Sequence, residues 1–233
     1  MTEHDLRRPI VAIDGPAGAG KSTVSREVAD ALGFVLIDTG AMYRTVALAA
    51  ERAGVDWSNG AAVGAIAREL VANKALQLVP DTTRGLRIEL SGEDVSDTIR
   101  SPEMGLGASS VSVHAEVREA LLDLQRQAGH EGGVVLEGRD IGTVVFPDAE
   151  AKFFLTAKPE VRALRRYEEL VAKGQQVTLD QTLREVIARD RQDETRTFAP
   201  LRRATDAVEI DCSTRSVSET VAFIVDQVKA LTR

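Results

Sequence analysis

The chain has a single cysteine, Cys212, so it cannot form an internal disulfide. No CxxC pair or Cys/His spacing is present to hold a structural zinc. Cys212 therefore reads as a buried structural thiol. Basic excess is also missing: the formal charge is −7. That argues against a nucleic-acid binder held by a broad basic face. A small phosphorylated ligand needs only a local basic pocket, so the acidic balance leaves that class open. No apolar run approaches the ~18 residues that a membrane-spanning helix needs. The opening MTEHDLRRP has no apolar h-region, so no signal peptide is expected and the protein reads as cytoplasmic. The hydrophobic share of 43% is ample for a core, and 233 residues suit one large domain.

The strongest local signal is IDGPAGAGKST at 13–23. Gly15, four residues, Gly20, Lys21 and Ser22 match G-x-x-x-x-G-K-[ST], the phosphate loop or P-loop. The apolar run Ile10-Val11-Ala12-Ile13 precedes it and suits a buried strand. Val24, Val28, Ala31 and Leu32 follow at helical spacing, and Gly33 stands at the expected stop. Such a loop turns successive backbone N–H groups toward one anion, and the helix start adds partial positive charge. Residues 15–23 (Gly15, Pro16, Ala17, Gly18, Ala19, Gly20, Lys21, Ser22, Thr23) would line the phosphates. Lys21 would reach the β- and γ-phosphates, and the Ser22 hydroxyl would hold Mg²⁺.

Five apolar runs read as strands: 9–13, 34–37, 133–137, 152–155 and 207–210. Helical patterns separate most of them, which argues for a parallel sheet with helices on both faces. Pro159 opens one helix and Gly174 follows its stop. Ser216 with Glu219, and Thr178 with Gln181, read as capping boxes. Residues 75–99 break the alternation. LQLV, a PDTTRG turn, LRIEL, SGED and VSDTI read as short antiparallel strands, a small β insertion.

A P-loop alone leaves several activities open. The base-reading NKxD of GTPases is absent, since Asn73-Lys74 is followed by Ala75-Leu76. Ile37-Asp38 and Leu136-Glu137 could end Walker-B strands, but the chain is short for a motor or transporter. A small-molecule kinase fits the size, and a phosphate-bearing acceptor would demand arginines. Arg44 follows DTGAMY, and Arg139-Asp140 sits in EGRDIG, each just past the carboxyl end of an expected strand. Ligands of open α/β sheets bind beyond those ends. Arg189, Asp193 and Arg196 have spacings of four and three, so they would share one helical face before Phe198-Ala199-Pro200 ends the helix.

These residues resemble the bacterial cytidylate kinases, a family of nucleoside monophosphate kinases. The matching segments are IDGPAGAGKST at 13–23, DTGAMYR at 38–44, VREAL at 117–121 and EGRDIGTVVFPDA at 137–149. ARD with Asp193 and Arg196, APL at 199–201 and TDAVEIDCS at 205–213 complete the series. The family's first loop often reads DSG; here Thr39 keeps the hydroxyl. Gln192 replaces a frequent arginine.

The resemblance implies an α/β, three-layer P-loop kinase fold with a five-stranded parallel sheet, a small antiparallel β insertion and a helical lid. It implies one kinase domain over 1–233, with 75–99 on the acceptor side and 158–196 as the lid. It implies transfer of the γ-phosphoryl group of ATP to CMP or dCMP, with Mg²⁺. The sequence shows no exposed apolar heptad or obvious interface stripe, so a monomer is expected. By similarity, Asp140, Arg118 and Ser109 read cytosine. Arg44, Arg139 and Arg196 neutralise phosphates, Asp193 and Arg189 hold the ribose hydroxyls, and Thr39 joins the acceptor site. Catalysis would rest on Lys21, Arg139 and Arg196 without a general base. Other acceptors such as UMP, AMP or shikimate, and a nucleotide-binding regulatory role, are the competing readings.

Overall fold

The computed structural model describes residues 8–81 and 85–231. Most of the opening MTEHDLRRP and residues 82–84 of the PDTTRG turn lie outside them. The chain divides into two compact units, Met1–Phe34 with Gly133–Arg233, and Val35–Gly132.

In the first unit, strand β1 (Ile10–Asp14) is buried at every position, as a strand covered on both faces should be. It pairs in parallel with β6 (Val134–Gly138) and β7 (Ala151–Thr156), and β7 pairs with β8 (Val208–Asp211). With β2 (Val35–Asp38) the five-stranded parallel sheet has the order β2-β6-β1-β7-β8. Register places Asp14 level with Gly138 on one side and Phe154 on the other. The segments that follow β1 and β6 therefore leave the sheet side by side. Ile13, Leu136 and Leu155 are almost wholly buried in this core. Truncating such a residue to alanine costs about 2–5 kcal/mol.

Helix α1 (Lys21–Leu32) ends at Gly33, whose φ of 62° is left-handed. The Arg8 guanidinium donates to the carbonyls of Leu32 and Gly33, satisfying acceptors that the helix end leaves open. Helices α6 (Pro159–Ala172) and α7 (Leu179–Thr195) pack on each other, and α8 (Val217–Leu231) packs on α1. The Ser216–Glu219 capping box is reciprocal: the Ser216 amide donates to Glu219 and the Glu219 amide donates to Ser216 Oγ. The box expected at Thr178 is only half made. Thr178 Oγ1 accepts from the Gln181 amide, but the Gln181 side chain turns to Glu185. Helix α7 also stops earlier than Phe198-Ala199-Pro200 suggests. Arg196 is its extended cap, with ψ 142°, so it leaves the helical face shared by Arg189 and Asp193. The following loop folds back: Ala199 adopts φ 48°, and the Leu201 amide donates to the Asp193 carbonyl at 2.8 Å.

The second unit holds α2 (Thr39–Arg52), α3 (Gly60–Ala72), α4 (Pro102–Val111) and α5 (Ala115–Gly129). Here α2 packs on α4 and α3 on α5. Asp38, Asn59 and Ser101 accept from helical amides as N-caps of α2, α3 and α4. The expected β insertion is a three-stranded antiparallel sheet of β3 (Leu76–Asp81), β4 (Gly85–Leu90) and β5 (Glu93–Asp94). Its last strand is shorter than expected, and VSDTI is not a strand. Asp94 Oδ1 accepts from the Ser96 amide, bending the chain, and Thr98–Arg100 form a 3₁₀ turn.

Candidate active site

In the first unit the phosphate loop begins where β1 ends. Gly15 is required by close approach: a Cβ there would stand 2.0 Å from the Leu155 carbonyl oxygen. Gly20 caps α1, and Lys21 is its first residue. The Lys21 side chain folds back over the loop, its Nζ donating to the Pro16 carbonyl at 2.8 Å. Burial lowers its pKa to about 7, helped by the Arg139 guanidinium. The carboxylates of Glu137, Asp14 and Asp193 act in the opposite sense. Ser22 and Thr23 are exposed at the helix start.

Arg139 and Asp140 follow β6. Arg139 Nε donates to Asp193 Oδ2 at 3.1 Å. Arg196 lies between two carboxylates, with Nη1 3.7 Å from Asp193 Oδ1 and Nη2 3.8 Å from Asp140 Oδ1. Its Nε donates to the Ala199 carbonyl at 2.7 Å. The result is a continuous string, Arg139–Asp193–Arg196–Asp140, of alternating charge. Arg189 stands half-buried one helical turn before Asp193 on α7. The structure thus brings together four residues singled out in the sequence from two separate segments, within electrostatic reach of Lys21.

Asp14 is a member of this cluster that the sequence reading missed. Both its carboxylate oxygens accept backbone amides, from Ile141 and Gly142, each at 2.8 Å. Those amides begin a single π turn, Ile141–Val145, directly after Asp140. Burial raises the Asp14 pKa to about 6, against the two amide bonds that hold it down. The turn's far end is also pinned, because Lys152 Nζ donates to the Pro147 carbonyl and to Asp206. The one available signal was an acid closing an otherwise apolar strand, IVAID.

The remaining sequence candidates lie in the second unit. Thr39 is buried at the first position of α2. Arg44, five residues on, pairs with Asp38 at 2.5 Å, and its Nε is buried without a hydrogen-bond partner among the described residues. Ser109 is half-buried on α4. Arg118 is buried on α5, with its guanidinium 5.4 Å from the Tyr43 ring centroid and Nη1 donating to the Ser112 carbonyl at 3.3 Å. Cys212 is buried, as expected, and burial pushes its thiol pKa up. Among the described residues no helix is long and apolar enough to cross a membrane.

These features coincide with a defined family. The cytidylate kinase family profile matches residues 11–230. The chain is 51% identical over 234 residues to the cytidylate kinase of Geobacter sulfurreducens, spanning 100% of this chain and 96% of that one. It is 54% identical over 214 residues to the cytidylate kinase of Syntrophotalea carbinolica, spanning 91% and 88%. It is also 46% identical to the bifunctional pantoate ligase/cytidylate kinase of Gloeobacter violaceus, over 95% of this chain and 43% of that protein. A phosphate loop, an EGRDIG turn and an arginine–aspartate string in one unit, matched along almost its whole length, place the chain in the cytidylate kinase family.

Proposed function

We infer that this protein is a cytidylate kinase, transferring the γ-phosphoryl group of ATP to CMP or dCMP to give the diphosphate and ADP. A phosphate oxygen of the acceptor forms the new bond to Pγ. The bond from Pγ to the bridging oxygen breaks, and ADP leaves with that electron pair. The acceptor oxygen is already an anion, so no general base is required, and positioning with electrostatic stabilisation carries the rate. The observation that best supports this reading is the largely buried Arg139–Asp193–Arg196–Asp140 string beside Lys21. It supplies cations for transferring charge while keeping each one paired in the resting protein.

In this reading residues 15–23 bind the ATP phosphates, with Lys21 on the β- and γ-oxygens. Arg139 and Arg196 neutralise transferring charge, and Asp193 and Arg189 hold ribose hydroxyls. Asp140 accepts from the N4 amino group of cytosine. In the second unit, Arg118 and Ser109 serve the acceptor atoms of the base, and Thr39 and Arg44 serve the acceptor nucleotide. The Arg44 Nε, buried without a hydrogen-bond partner among the described residues, is a donor suited to a phosphate oxygen. The whole chain is taken as one monomeric, cytoplasmic kinase domain, with 75–99 on the acceptor side and 158–196 as a lid that excludes water.

The donor set fits magnesium carried by the nucleotide. Among the described residues no group of three or more His, Cys, Asp or Glu could hold a metal. The exposed Ser22 hydroxyl offers one hard oxygen at the start of α1. Magnesium is commonly held in this way, by one or two protein groups together with substrate phosphates and water. When bound it neutralises phosphate charge.

The test is a coupled assay of ADP release with CMP, dCMP, UMP, AMP or shikimate as acceptor. The expected result is rapid release with CMP and dCMP and little with the others. Release at one low rate whatever the acceptor would overturn the assignment.

A further inference from the structure

Arg162, on α6, has no role in the reading above, yet it is one of the most completely engaged side chains in the first unit. Its side chain is 4% exposed. Nε donates to the Ala157 carbonyl at 2.7 Å, at the exit of β7. Nη1 and Nη2 form a fork on Asp190, at 2.8 and 2.6 Å. Nη1 also donates to the carbonyl of Ala17 in the phosphate loop, at 3.2 Å.

A purely structural pair could explain α6 holding α7. Two particulars go further. Asp190 immediately follows Arg189 and lies one turn before Asp193, so the fork sets the rotation of the helix that carries both. The Ala17 contact acts on the phosphate loop itself. No described peptide is cis, and in a trans peptide the carbonyl and the following N–H point in opposite directions. Drawing the Ala17 oxygen toward Arg162 therefore turns the Gly18 amide away from it. In an anion-binding loop the direction of each amide is the binding determinant. The approach is close: a Cβ on Gly18 would meet Arg162 Cβ at 3.2 Å.

We propose that Arg162 is a positioning residue for phosphoryl transfer, orienting the Ala17–Gly18 peptide of the phosphate loop and, through Asp190, the α7 face that bears Arg189 and Asp193. It thereby couples the donor loop to the helix proposed for acceptor contacts, and this rests on the kinase reading above. A lysine at 162 keeps the charge but loses the planar fork, so it cannot hold Asp190 bidentately and Ala17 together.

The experiment compares Arg162→Lys, Asp190→Asn and the double variant with the unaltered protein, with folding checked by circular dichroism and thermal melting. Binding of a fluorescent ATP analogue is measured without acceptor, followed by kcat and both KM values with ATP and CMP. Arg162→Lys is expected to weaken ATP-analogue binding about tenfold and lower kcat at least tenfold, at a temperature well below its melting point. Asp190→Asn should chiefly raise KM for CMP. The double variant should be little worse than Arg162→Lys, since both changes break one unit. Wild-type binding and kinetics in folded Arg162→Lys would overturn the proposal. If that variant does not fold, unaltered KM for CMP in Asp190→Asn overturns it, and failure of both to fold shows the pair to be structural and also overturns it. Analogue binding needs no acceptor, so it judges Arg162 even if CMP proves not to be the substrate.

Discussion

Arg139 and Asp193 are 54 positions apart in the chain and joined by a bond of 3.1 Å from Nε to Oδ2. The same carboxylate faces the Arg196 guanidinium at 3.7 Å, so one buried acid is shared by two cations. Replacing Asp193 with alanine would leave both arginines facing each other beside Lys21. Removing one partner of a buried pair costs about 3–5 kcal/mol; with Arg139 partly exposed, about 2–3 kcal/mol is expected here. Urea unfolding of Asp193→Ala measures this. A midpoint equal to that of the unaltered protein would show that the string contributes nothing to stability.

Lys21→Ala should abolish transfer and leave the fold intact. The ammonium folds back over the loop at the start of α1, where its Nζ donates to the Pro16 carbonyl. Losing a preorganised cation aimed at the β- and γ-oxygens should lower kcat by about 10²-fold or more. Turnover within a few-fold of normal in the folded variant would contradict the phosphate-loop assignment.

Much of this arrangement was legible in the sequence because its signals are local. Continuous apolar runs such as IVAI and GVVLE placed the strands to within one residue, and Gly33, Pro159 and Ser216 marked helix ends through known backbone preferences. What the sequence hid was long-range or competitive. Asp14 finds its amide partners 127 and 128 positions away, a pairing that no periodicity encodes. VSDTI has strand-like composition, but the Asp94–Ser96 bond outcompetes the ladder. Arg196 keeps helical spacing from Asp193, yet the bond from Leu201 to the Asp193 carbonyl draws the chain out of the helix. Arg162 sits among three arginines on α6, and only its contacts distinguish it from the others.

Asp14 predicts a pH dependence of stability. Its folded pKa is raised from 3.8 to about 6, so the ionised form is disfavoured in the folded protein. Between those values the folded state holds a proton that the unfolded state has lost. Stability from this group therefore falls as pH rises from about 4 to about 6, and is flat above. A shift of this size corresponds to roughly 3 kcal/mol. Asp14→Asn cannot titrate, so the stability difference between the unaltered protein and Asp14→Asn should shrink or reverse across that window, in favour of the variant. Urea titrations at steps of pH from 4 to 7 read this difference. Stability is the better readout than rate, because the acceptor phosphate itself titrates near pH 6. A constant difference would mean that the two amides hold the carboxylate at an ordinary pKa.

Asp140→Asn should blur the choice between CMP and UMP. Cytosine carries an amino donor at N4, where uracil carries an acceptor oxygen. A buried carboxylate only accepts, so it suits cytosine and would face uracil lone pair to lone pair, leaving a buried charge unsatisfied. A site built to hydrogen-bond one edge can reject the other by several orders of magnitude. Asparagine can present its amide to O4 instead. The competing view makes Asp140 a structural group, either pairing with a neighbouring arginine or capping the turn that follows it. Capping is not observed, since its side chain makes no cap bond to the π turn. Its pair with Arg196 is loose, at 3.8 Å from Nη2, longer than a hydrogen bond. A structural Asp140 would therefore show itself as lost stability with both activities falling together. Base reading instead predicts that the rate with CMP falls while the CMP/UMP ratio of kcat/KM shrinks by roughly tenfold or more. The measurement is kcat/KM for each acceptor at matched, saturating ATP, on protein shown to be folded. An unchanged ratio would exclude Asp140 as the residue that distinguishes the two bases.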